Sequence, residues 1–313
     1  MAQHWRTAVK SCVDRQAHPH AGVNGVLRVM HARGRTGCPT VVFAAAAALA
    51  AALGGSATAL HAASTPGRCS AESGSQRVAV LELYTSQGCS SCPPADRFVS
   101  ALPAKGFGTD RLIILAMHVD YWNRLGWRDP FSQKAFTERQ REISSRQRTG
   151  YVYTPQLVLD GRDYRPRQWF DELTSRVGEV NRMPAQARIA IEAARGADGL
   201  QVRADARLAS PAAGIAAAAR SGALRLVVGV YENGIMTTVR SGENAGSSLR
   251  NDFIVRTLAT PAALGAAGES ARGELTLPLA SGAATDRQVA FAFVQNATTG
   301  EVLQAVALPV CSG

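Results

Sequence analysis

The stretch Cys89-Ser90-Ser91-Cys92-Pro93-Pro94 decides how this chain is read, because it follows an apolar run over residues 78–84 and precedes a segment that can coil as a helix. A strand, a turn, two cysteines two residues apart and a helix start together describe a thiol–disulfide site. Unpaired N–H groups in the first turn of a helix favour an anion and so lower the pKa of a cysteine held there. Cys89 is therefore the expected attacking thiolate, and Cys92 the residue that resolves a mixed disulfide. Pro93 and Pro94 suit the first turn, where a missing N–H costs little.

Towards the N-terminus, residues 41–53 are almost entirely Val, Phe, Ala and Leu, follow Arg33 and Arg35, and lead into Ala57-Thr58-Ala59. A basic flank, a short apolar run and a small-x-small pattern read as a secretory signal, with cleavage near Ala59 or Ala62. The run is shorter than the ~20 residues that span a bilayer, so no stable membrane span is expected after cleavage, with a retained anchor as the alternative. Residues 1–62 are thus signal and pre-sequence, with Met30 as an alternative start, and residues 63–77 are a linker. A periplasmic or secreted protein is expected. The formal charge of +10 falls to +5 without residues 1–62, which hold six basic residues and one acidic one. The remaining excess is scattered among acids, which speaks against nucleic-acid binding.

Cys12 and Cys38 go with the removed segment, leaving Cys69, Cys89, Cys92 and Cys311. Four cysteines in an exported chain allow three pairings. Cys89 with Cys92 and Cys69 with Cys311 is the economical one, the second bridge tying the first mature residues to the last. The alternative leaves Cys69 and Cys311 free in their tails.

From residue 78 to 183 strands at 78–84, 112–119 and 156–159 alternate with helices at 93–102, 131–146 and 167–177. Strand, helix, strand in that order implies a parallel pair with a right-handed crossover. Thr154-Pro155 stands where thioredoxin-like folds carry a cis-proline facing the C-x-x-C, so Pro155 is a candidate for positioning substrate. Beyond Met183-Pro184, short strands at 187–193, 200–208, 223–232, 253–258, 274–279, 289–295 and 302–308 indicate a β-sandwich. Alanine-rich 212–219 reads as a helical insertion or a loop. The expected fold is an α/β thioredoxin-like domain over 78–183 followed by an all-β sandwich-like domain over 184–313.

His118 ends the second strand, and loops at the carboxyl ends of parallel strands are where open α/β sheets hold their sites. It is a candidate proton carrier for the cysteines or, with Cys89 and Cys92, a ligand for Cu(I); a ring packed against Asp120 or the backbone is the plainer reading. A structural zinc site lacks its second pair of ligands. Tyr121, Trp122 and Trp127 are candidate walls of a peptide groove, with a simple cover for the end of the sheet as the alternative. Glu82 reads as outward-facing or as a buried carboxylate near the cysteines, Asp160-Gly161-Arg162 as a hairpin turn, and residues 241–246 as a glycine-rich turn without the ending of a phosphate loop.

Residues 84–96, His118-Val119-Asp120-Tyr121-Trp122, Gly126-Trp127-Arg128-Asp129-Pro130-Phe131, Tyr153-Thr154-Pro155-Gln156 and Gly242-Glu243-Asn244-Ala245-Gly246 together resemble the secreted bacterial family known as domain of unknown function 1223, in the thioredoxin-like superfamily. The resemblance implies a fold and an export route but no reaction. The residues therefore carry the expected function: thiol–disulfide exchange on cell-envelope protein thiols or disulfides, without a cofactor. A copper-binding or partner-binding module, and a scaffold with the cysteine pair as a staple, are the rivals.

Overall fold

The computed structural model describes residues 67–165, 169–209, 212–259, 261–265, 270–278 and 285–311, all within one compact unit, Leu60–Gly313. The expectations for residues 1–62, including the signal, Met30, Cys12 and Cys38, lie outside the described residues. In chain order the elements are β1 (Arg68–Glu72), β2 (Ala79–Thr85), α1 (Pro93–Ser100), β3 (Leu112–His118), α2 (Lys134–Arg146), β4 (Gln156–Leu159), β5 (Arg162–Tyr164), α3 (Trp169–Asn181), β6 (Ala187–Gly196) and β7 (Gly199–Leu208). They continue with α4 (Ala213–Arg220), β8 (Leu224–Glu232), β9 (Ile235–Thr238), β10 (Ser248–Asn251), β11 (Ile254–Leu258), β12 (Ala262–Ala263), β13 (Ser270–Leu277), β14 (Gln288–Asn296) and β15 (Val302–Pro309).

The expectation of an α/β thioredoxin-like domain followed by a separate β-sandwich is not met. Strand outweighs helix, and one mixed nine-stranded sheet takes strands from both sides of residue 183, in the order β15-β14-β8-β11-β3-β2-β4-β5, with β12 also on β8. The join is β11, which lies parallel to β3 at Ile254 and Ala116 and antiparallel to β8. Phe253 accepts the Ala116 N–H at 2.8 Å there. A strand from the second half thus satisfies an edge of β3 that an isolated first domain would leave open, and unpaired edges are costly to leave in solvent. A second, four-stranded antiparallel sheet, β1-β6-β7-β13, completes the main architecture, and β9 and β10 form a separate ribbon.

Burial explains the strand sequences. Every residue of β2 and β3 is buried, as their unbroken apolar runs require. β8 and β14 are buried on both sides because Val227, Tyr231, Phe291 and Phe293 enter the core beneath the helices while Val228, Val230, Ala290 and Ala292 enter a second core shared with β6 and β7. Along β6 the alternation Ala187, Ile189, Ile191, Ala193 inward and polar residues outward marks a sheet with one solvated face.

The large sheet curves until the β14–β15 hairpin meets the β4–β5 turn. Gly161, at φ +76, lies so close to Gly300 that an added Cβ would stand 2.0 Å from the Gly300 carbonyl oxygen. Gln304 fastens the same region, accepting the Val78 N–H at 3.0 Å and donating to the carbonyls of Gly74 and Gln76. Cys69 and Cys311 are joined by a disulfide with a sequence separation of 242, which ties β1 to the segment after β15.

Candidate functional site

The loop between β2 and α1 carries Cys89 and Cys92, joined as a disulfide and both fully buried. Cys92 is the N-cap residue of α1, and Pro93 and Pro94 open the helix. Its carbonyl accepts the N–H groups of Ala95 and Asp96, so Cys89 stands one turn ahead of the helix rather than within it. Ser90 and Ser91 are exposed, and the Ser91 hydroxyl donates to Cys89 Sγ at 3.3 Å.

A buried polar group lies where β2 and β3 end. His118 pairs in register with Thr85, the last residue of β2, and its Nδ1 donates to Asp129 Oδ2 at 2.7 Å. Asp129 also accepts the N–H of Gln87 at 2.7 Å and of Phe131 at 2.9 Å, while Phe131 sets its ring edge-on to His118 at 5.4 Å. Burial by itself lowers the His118 pKa, but the charge and hydrogen bond of Asp129 outweigh it and hold the imidazole above its ordinary value. Burial likewise raises the Asp129 pKa, and His118 with the two backbone N–H groups brings it below the usual range. Asp96, one turn beyond Cys92, faces the same pair, and burial pushes its carboxyl up to about 6 against the pull of His118.

Asp129, not Asp120, is thus the partner of His118. Asp120 turns to α2 and accepts the Thr137 hydroxyl at 2.5 Å. Among the described residues no group of three or more His, Cys, Asp or Glu side chains is placed to hold a metal ion. Asp96, Asp129 and Gln87 fall within the stretches that carry the family resemblance, but the sequence assigned them no role. The Asp96 and Asp129 spacings carry no signal until the fold sets both against His118.

Thr154-Pro155 is a cis peptide at the start of β4. Trp122 links it to the cysteine loop: its indole N–H donates to Thr154 Oγ1 at 2.7 Å, and its Cβ lies 3.6 Å from where Gly88 would carry a side chain. Trp127 donates to Gln87 Oε1 at 3.2 Å, and Gln87 in turn donates to Asn251 at 3.1 Å. Both tryptophans are half-buried and brace loops.

The glycine-rich turn of residues 241–246 does more than reverse the chain. Asn244 Nδ2 donates to the carbonyls of Gln87 at 2.8 Å and Cys89 at 2.9 Å, and Glu243 accepts the Ser90 N–H at 2.9 Å. Ser241 donates to the Gly126 carbonyl at 2.6 Å, and Gly242, at φ +77, packs on Trp127. A segment 153 to 157 residues downstream therefore grips the disulfide loop. Its motif was visible in the sequence, but its target was not.

Glu82 is neither outward-facing nor attached to the cysteines. It is buried and held bidentately by Arg139 at 2.8 Å for each bond, with Tyr84 donating at 2.6 Å and the guanidinium lying 5.5 Å from the Phe293 ring. This cluster ties α2 to β2 and β14.

Residues 80–295 match the family described as Protein of unknown function (DUF1223), and the chain belongs to that family. The crystal structure of a protein from Agrobacterium tumefaciens is similar at 24% identity and a TM-score of 0.52, covering 77% of this chain and 98% of that one. HBP35 of Porphyromonas gingivalis is similar at 15% identity and a TM-score of 0.55, covering 76% of each chain. Likenesses this distant speak to the fold alone. No curated protein matches the chain significantly.

Proposed function

We propose that this member of the DUF1223 family is an exported thiol–disulfide oxidoreductase acting on cell-envelope protein thiols or disulfides through Cys89 and Cys92. The observation that carries the reading is the Cys89–Cys92 disulfide in the loop that leads into α1, with Cys92 as the N-cap residue of that helix. In the reducing direction the Cys89 thiolate attacks a substrate disulfide, forming a mixed disulfide and releasing one substrate thiolate. The Cys92 thiolate then attacks Cys89 Sγ, restoring the Cys89–Cys92 bond and releasing the second thiolate, so two electrons pass from the pair to the substrate. The reverse sequence oxidises a substrate dithiol. His118, with Asp96 and Asp129 facing it, is suited to handle the protons that these thiols gain and lose. Pro155 serves to position the substrate chain.

The test is the reduction potential of the pair, measured by equilibration with glutathione and thiol alkylation. A value between about −120 and −270 mV supports exchange chemistry, whereas one below about −300 mV marks a structural bridge and ends the proposal. Cys92→Ala is expected to trap a mixed disulfide through Cys89 in a cell-envelope extract.

A further inference from the structure

A cavity of about 530 Å³ opens beside α2, at the start of β8 and the end of β14, away from the cysteine loop in sequence and in lining. Arg139, Arg146 and Arg225 all line it, with Glu142 as the acid among its lining residues. The three arginines are not equivalent. Arg139 is neutralised by its two bonds to Glu82. Arg146 is not: Glu142 approaches its Nη1 only to 4.0 Å from a largely exposed side chain, and its buried Nε and Nη2 have no hydrogen-bond partner. The Nε lies against the Gly300 turn. Arg225 is fixed through Nη1, which donates to the carbonyls of Gly222 and Leu224, and among the described residues it forms no ion pair.

A guanidinium placed beside another and stripped of water is costly unless an anion completes it. Burial, and then the like charge of Arg139, hold the Arg146 pKa below its ordinary value. Forked guanidinium donors match phosphate and carboxylate groups bidentately. Two unneutralised cations favour a phosphate monoester, which carries about −1.5 to −2 charges near neutral pH, over a single carboxylate. The cavity falls within the roughly 300–1,000 Å³ of small-molecule sites, and Val227, Pro261 and Ala297 supply apolar wall that a bare ion would leave unused.

We propose that this cleft binds a small organic phosphate monoester, its phosphate held between Arg146 and Arg225 and its body resting on Val227 and Pro261. The site is independent of the cysteine chemistry.

The experiment is calorimetric titration of the full chain with phenyl phosphate, against phenol and against sodium chloride at matched ionic strength. Saturable binding of phenyl phosphate, weaker binding of inorganic phosphate and none of phenol are expected. Arg225→Gln should weaken binding by at least about tenfold, the scale of one lost charge-assisted contact of 1.4 kcal/mol or more. Glu142→Gln, on an exposed position that leaves the fold intact, should tighten it by removing the competing carboxylate. The proposal is overturned if phenyl phosphate gives no saturable heat in the low-millimolar range, if folded Arg225→Gln binds as the parent does, or if Glu142→Gln fails to tighten binding.

Discussion

Replacing Asn244 with Ala tests how the buried disulfide is reached. Both sulfurs are fully covered, so a reductant or substrate meets them only when the cysteine loop opens. Asn244 holds that loop by two hydrogen bonds, to the Gln87 and Cys89 carbonyls at 2.8 and 2.9 Å. Each is worth about 0.5–1.5 kcal/mol net, so Asn244→Ala should favour opening by about 1–3 kcal/mol. At 1.4 kcal/mol per decade this is roughly a 5- to 150-fold larger open population. The assay is the rate at which a dilute small-molecule dithiol reduces Cys89–Cys92, followed by alkylation and mass measurement. The rate should rise by that factor while the melting curve changes little. Asn244→Asp should accelerate at least as much, because a carboxylate facing two carbonyls repels them. Glu243→Ala should act less, since the exposed Ser90 N–H can turn to water. If folded Asn244→Ala is reduced at the parental rate, the turn does not control access and the reasoning fails.

Three further outcomes follow from buried charge and cross-linking. Asp96 has a native pKa of about 6 against 3.8 ordinarily, so the folded state binds its proton more tightly and stability declines as pH rises through that window. The cost is at most about 3 kcal/mol, and denaturant melts of Asp96→Asn should show it removed, with a gain at pH 7 and little change at pH 4. Glu82→Ala would leave Arg139 buried without its partner, which costs about 3–5 kcal/mol and, at 2–4 °C per kcal/mol for a domain this size, lowers Tm by roughly 6–20 °C; an unchanged Tm would remove the cluster from any account of stability. Cys69→Ser with Cys311→Ser opens a bridge of sequence separation 242, for which loop-closure entropy predicts a loss of up to about 5 kcal/mol. Equal unfolding midpoints for oxidised parent and double variant would contradict it.

Much of the chain's local structure could be read in advance, because local structure depends on nearby residues. The strand expected over 156–159 is β4 to the residue and the one over 302–308 differs from β15 by one position, while the alanine-rich 212–219, left open between helix and loop, falls at α4, Ala213–Arg220. What failed was pairing. The apolar runs of β3, β8 and β11 say that each strand is buried, not which strand lies beside it, and nothing periodic in residues 253–258 announces a parallel neighbour more than a hundred residues upstream. The same limit governs the site. Cys89, Cys92 and Pro155 stand out because their chemistry is written in short motifs, whereas Asp96, Asp129 and Asn244 matter only through what the folded chain sets against them.

That dependence changes how the second half of the chain must be regarded. A sandwich appended to a complete redox domain could be removed without touching the cysteines. Here β11 supports the strand that ends in His118, Asn251 holds the Gln87 side chain, and Asn244 and Glu243 grip the cysteine loop at Gln87, Cys89 and Ser90. Cutting after residue 183 would strip one edge of β3 and release every one of these contacts at once. The cysteine pair is therefore not a module decorated by a neighbour. Its burial and its access are set by residues from both halves, and a change in either half reaches the same disulfide through the shared sheet.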